Sequence, residues 1–95
     1  MLGVNVTYMM KPGKREEFLS GVVACGALDA IRKEDGCLQY DYFLPVEQAD
    51  QLLLVEKWTS RDAQAVHMTQ PHMADLAAIK ERCADDVSVL FYDLP

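Results

Sequence analysis

Glu56-Lys57-Trp58, His67 and Pro71-His72 bring a carboxylate, the only Trp and both His of the chain into one stretch. Imidazole gains and loses a proton near neutrality, a carboxylate can orient it, and an indole offers a flat apolar wall. These residue types could build an acid/base pocket with an aromatic side.

Each candidate has more than one role open to it. Strand alternation puts Leu52, Leu54, Glu56 and Trp58 on one face. Glu56 is the carboxylate in that apolar row. It either pairs with a Lys or Arg at the strand end, or it is a partly buried group that orients a substrate or a histidine. Burial would raise its proton affinity and a nearby cation would lower it. Trp58 serves as core, as interface or as a wall stacked on a flat ligand. His67 is a hydrogen-bonded structural residue or a base. His72 opens a helix, where the positive end of the dipole favours neutral imidazole, the form a general base needs. The two His are five apart across Pro71 and share no regular helical face, so no metal site is expected. Asn5 and Thr7 share a side of the first strand, and Tyr40 and Tyr42 share one on the second. Polar tips among apolar neighbours suit a small-molecule pocket or the hydrogen bonds of a dimer interface. A phosphate-binding Gly loop, a nucleophile elbow and paired cysteines are all missing from the sequence.

The elements that must position these residues follow from periodicity. Val4 to Met10 alternates as a strand, ended by Pro12-Gly13. Lys14 to about Glu34 is predicted to be one helix with a buried stripe of Phe18, Val22, Cys25, Leu28 and Ile31. Gly21 and Gly26 weaken it and would allow close packing on a sheet. Gly36 suits the left-handed stop that follows. Residues 37–44 form a second strand, 45–51 a polar loop and 52–59 a third strand. Thr59 and Asp62 are spaced like a capping box before a short helix over 61–68. Pro71 starts a further helix that runs to about Ala84, and Val87 to Leu94 is the last strand. The order β-α-β-β-α-β predicts an α+β, ferredoxin-like fold over residues 1–95 as one domain. It has a four-stranded antiparallel sheet with helices on one face.

The third strand is apolar on both sides, with Leu53 and Val55 opposite Leu52 and Leu54. Two helices cover one side only. Hydrophobic residues make up 51% of the chain, more than a small monomer hides. A homodimer with two sheets face to face is therefore expected, with a cavity in each subunit. The net charge of −6 repels phosphate backbones and disfavours nucleic-acid binding. No apolar run approaches the ~20 residues of a membrane span, and no signal-peptide pattern opens the chain, so a cytoplasmic protein is expected. Cys25, Cys37 and Cys83 are odd in number and widely spaced, which suits small buried residues better than a disulfide framework or zinc site.

Four pieces, in order, resemble one family. They are Lys11-Pro12-Gly13-Lys14 with Phe18; Glu34-Asp35-Gly36-Cys37 with Tyr40; Glu56-Lys57-Trp58; and Ala65, His67 and Thr69-Gln70-Pro71-His72. The pattern resembles the antibiotic biosynthesis monooxygenase domain, a family of dimeric α/β barrels. The resemblance implies a homodimer and cofactor-free oxidation of quinols or polycyclic phenols by O2. It also implies that Asn5, Tyr40, Glu56, Trp58 and His67 line the cavity. His67 would be the base, Glu56 or Asn5 would orient the substrate oxygen, Trp58 would stack on the ring, and His72 would hold the helix entry; Trp58, Tyr40, Thr7 and His72 make up the expected substrate-binding set. The family includes an isomerase of a phosphorylated autoinducer-2 derivative, whose Thr-x-Pro-His segment and ending are similar to those here. In that alternative Glu56 and His67 shuttle a proton while Lys57, Arg61 or Arg32 meets the phosphate. A third alternative is a non-catalytic ligand-binding dimer. Haem-degrading relatives carry a helical Trp where His67 stands, which argues against haem breakdown.

Overall fold

Alternation along the strands sorts the sheet into a covered face and an open one. In the computed structural model, which describes all residues from Met1 to Pro95, the order is β1 (Leu2–Met10), α1 (Arg15–Ala24), α2 (Ala27–Arg32), β2 (Cys37–Phe43), β3 (Gln51–Trp58), α3 (Arg61–His67), α4 (His72–Cys83) and β4 (Ala84–Asp93). The strands lie in the order β2-β3-β1-β4 and every pairing is antiparallel. This is the expected ferredoxin-like α+β fold.

The covered face carries Val4, Val6 and Tyr8 of β1 and Leu52, Leu54 and Trp58 of β3, all buried with Phe18, Val22, Ile31, Leu76 and Ile79 of the helices. The register pairs Val4 with Glu56 and Tyr40 with Glu56, so these three side chains share the helix side of the sheet. The opposite face aligns Asn5 with Val55 and Leu90, and Thr7 with Leu53 and Ser88. Asn5, Thr7, Leu53 and Val55 are only half-buried, and Leu90 is exposed.

Three local expectations need correction. The helix expected over residues 14–34 is two helices, because Gly26 adopts φ +82 and turns the chain. The turn rotates the buried stripe, so Ala27 and Ile31 are buried while Cys25 is exposed. Gly21 does allow close packing, but against α4 rather than the sheet: a Cβ there would sit 3.3 Å from Ile79 Cδ1. The cap of α3 is Ser60, not Thr59; the Ser60 hydroxyl accepts from the Ala63 amide at 3.1 Å.

Candidate active site

A cavity of about 170 Å³ opens between the covered face of the sheet and α3–α4. Val4, Val6, Tyr8, Tyr40 and Glu56 form its floor. His67, Met68, Met73 and Lys80 stand above it, and Val87, Val89 and Phe91 of β4 form its remaining side.

Two local devices bring the polar groups together. The first is the turn between α2 and β2. Gly36 has φ +86, and a Cβ at that position would lie 2.7 Å from both Ala63 Cβ and Thr59 Oγ1. Only glycine fits, and the Thr59 amide donates to its carbonyl at 2.9 Å. The turn therefore lies tight against the start of α3 and places Glu34 beneath the helices. The second is the break at Pro71. The Thr69 hydroxyl and Gln70 side-chain amide both donate to the Val66 carbonyl, at 2.7 and 3.2 Å, so the chain leaves α3 in a fixed conformation.

The result is a chain of five polar side chains. Nδ1 of His67 and Nε2 of His72 each lie 2.8 Å from the same Glu34 oxygen, Oε2. A carboxylate only accepts, so each of those nitrogens carries a proton. The Nδ1 proton of His67 is thereby held by Glu34, which leaves Nε2 as the open ring nitrogen of a side chain that lines the cavity. Trp58 is fully buried and lies against the imidazole, with ring centres 4.6 Å apart. Its indole N–H donates to Glu56 Oε1 at 2.9 Å. Burial pushes the Glu56 carboxyl above the usual carboxylate range, against the opposing effects of the Trp58 bond and of His67 and Lys80. Burial likewise pushes the Tyr40 phenol far up, so it remains a neutral donor. The Cys37 thiol is raised by burial and by Glu34, which makes it a poor nucleophile.

His67, Glu56 and Tyr40 therefore meet at the cavity. Trp58 does not line it; the indole stands behind His67 as a buttress rather than as a wall for a ligand. His72 also lies outside the cavity, on the far side of Glu34. Asn5 and Thr7 are not brought to the cavity, because their register puts them on the opposite face of the sheet. There Asn5 Oδ1 accepts from the Tyr92 hydroxyl at 3.0 Å, and Gly3 leaves room for the tyrosine ring. The spacing argument that kept the two His apart fails, since the break at Pro71 turns both toward Glu34. Sequence reasoning missed Glu34 as their shared acceptor and missed Lys80. Glu34 stood in the Glu-Asp-Gly-Cys stretch, but no periodicity links it to a residue 33 positions away.

Comparison with known proteins agrees with this architecture. The family described as antibiotic biosynthesis monooxygenase matches residues 1–79. The Bacillus subtilis (strain 168) protein named "Putative monooxygenase YcnE" is 33% identical over 78 residues, 82% of this chain and 80% of that protein. The structure of PA3566 from Pseudomonas aeruginosa is similar, with 25% identity and a TM-score of 0.83, over 99% of this chain and 94% of that one. Rv0793 from Mycobacterium tuberculosis is similar over the same shares, with 25% identity and a TM-score of 0.85.

Proposed function

The chain belongs to the antibiotic biosynthesis monooxygenase family, and from that premise we propose that it is a cofactor-independent monooxygenase of a quinol or polycyclic phenol. One observation carries the reading. His67 lines an apolar cavity while Glu34 takes up its Nδ1 at 2.8 Å, which leaves Nε2 as the ring nitrogen for a substrate proton. A phenol entering the cavity gives its proton to Nε2, and Glu34 stabilises the imidazolium that forms. Lys80, at the rim of the same cavity, favours the phenolate. Tyr40, kept neutral by burial, is a donor for the substrate oxygen or for reduced oxygen species, and Glu56 borders the same space.

The electron-rich ring then reduces O2. A ring carbon ortho or para to the phenolate that bears hydrogen loses it and gains one oxygen atom. The second oxygen leaves as water, and the ring supplies all four electrons in becoming a quinone. The phosphate-bearing substrate of an isomerase would meet a single cation, Lys80, in this cavity. Arg32 and Arg61 are engaged with Asp41 and Asp93, and neither they nor Lys57 reach the cavity.

The functional unit in this reading is a homodimer of 95-residue domains whose open sheet faces pack together. Half-buried Leu53 and Val55 and exposed Leu90 support it. A cytoplasmic setting belongs to the same reading, supported by three free thiols. The structure contains no helix long and apolar enough to cross a membrane.

Oxygen uptake by purified, metal-free protein with a panel of quinols and polycyclic phenols tests the chemistry. The expected result is uptake above autoxidation, with one atom of labelled O2 in the product. Uptake equal to autoxidation across the panel would overturn it.

A further inference from the structure

We propose that Glu34, His67 and His72 form a binding site for one divalent transition-metal ion of the zinc type, seated behind the cavity's base rather than inside the cavity. Their donor atoms all lie within 4.8 Å of one another. Two of the three edges already measure 2.8 Å, His67 Nδ1 and His72 Nε2 each facing Glu34 Oε2. An ion at about 2.0–2.1 Å from nitrogen and oxygen donors holds them roughly 3.3 Å apart. Opening each edge by about half an ångström therefore exchanges two N–H···O bonds for three coordinate bonds. Two imidazoles and one carboxylate form a donor set suited to zinc and its first-row neighbours.

The surroundings fit a held ion. The His67 side chain is 2% exposed and is fixed in orientation by Trp58. Glu34 and His72 are 10% and 20% exposed, so the cluster is largely shielded while His72 keeps some contact with solvent. Neither of them lines the cavity, which separates the ion from the space a substrate would take.

Such an ion changes the role of His67. A neutral imidazole bound through Nδ1 carries its proton on Nε2. Loading therefore turns the cavity-facing nitrogen from an acceptor into a donor and switches off the base. The site itself stands apart from the proposed oxygenase chemistry; only this consequence rests on it.

Calorimetric titration of chelator-treated protein with Zn2+, and absorption titration with Co2+, test the site. One equivalent should bind, with Co2+ d–d bands and no sulfur charge-transfer band. His72→Ala and Glu34→Gln should each weaken binding at least about tenfold, while Cys25→Ser and Cys37→Ser leave it unchanged. Circular dichroism establishes that each variant is folded, and His72→Ala, at a half-buried helix start, keeps the test usable if Glu34→Gln unfolds. Absence of saturable Zn2+ binding, or binding that survives His72→Ala, would overturn the site. Imidazole nitrogen NMR reads the consequence directly: His67 should pass from Nδ1–H to Nε2–H on Zn2+ addition, and an unchanged tautomer would overturn the switch. These readouts need no substrate, so they stand or fall separately from the oxygen-uptake assay.

Discussion

On one side of the cavity Glu56, Trp58, His67, Glu34 and His72 hold one another through three hydrogen bonds and a close, tilted pair of rings. On the other, Val87, Val89 and Phe91 of β4 touch the cavity yet remain 38%, 51% and 46% exposed. The first side sets a protonation state, and a change in any member disturbs the others. The second side sets only shape, and apolar side chains of different size can replace one another there without moving a proton. The family match covers residues 1–79, which include Glu34, Glu56, Trp58, His67 and His72 but neither Lys80 nor the β4 wall.

The sharpest way to break this division is His67→Ala. It removes the base and should lower kcat about 10²- to 10⁴-fold in the oxygen-uptake assay while the protein stays folded. An unchanged rate would move the chemistry elsewhere. Gly36→Ala tests how the polar side is held without touching it. The left-handed backbone alone should reduce stability by about 1–2 kcal/mol. The contact with Ala63 and Thr59 adds to that. Urea unfolding measures the loss, and NMR should show His67 no longer confined to the Nδ1–H tautomer.

Phe91→Ala probes the apolar side. It should raise KM about tenfold for bulky phenols, a loss of ~1.4 kcal/mol, with kcat nearly unchanged. A fall in kcat instead would mean that β4 takes part in the chemistry. The smallest effect expected is on stability in Glu56→Gln. Because burial raises the folded-state pKa of Glu56, its contribution to stability is fully present below the unfolded value of about 4.3 and is lost as pH rises through the raised one. Gln keeps an acceptor for Trp58 and has no proton to lose. The variant should match the parent near pH 4 and become the more stable of the two toward pH 8, read from urea midpoints. A gap that narrows with pH would show that Glu56 is stabilised as the anion.

Much of this molecule is legible from local pattern. Period-two alternation placed Glu56 and Trp58 on the same face as Leu54, and Pro71 marked the break between α3 and α4. The failures share a cause. Asn5 alternates as regularly as Val4, and alternation alone does not say which face the helices cover. Gly26 read as a weak position inside a helix, because a left-handed turn and a tolerated glycine look alike in sequence. Glu34 could not be tied to His67, since that contact depends on how the Gly36 turn packs on α3. Lys80 sat on a helix with other charged residues, and only the third dimension shows that it borders the cavity.

The break at Pro71 has a consequence for how this chain can change over time. In an unbroken helix, residues five apart point about 140° away from each other, so His67 and His72 could not grip the same oxygen. Met68 to Pro71 thus acts as a spacer of fixed length, and one residue added or removed there would swing His72 off Glu34. In the loop from residue 44 to 50, Gln48 and Asp50 are tied to Arg15, Met10 and Gly13, so added length falls on residues 44 to 47. Insertions among close kin should gather in that loop and be missing from the spacer.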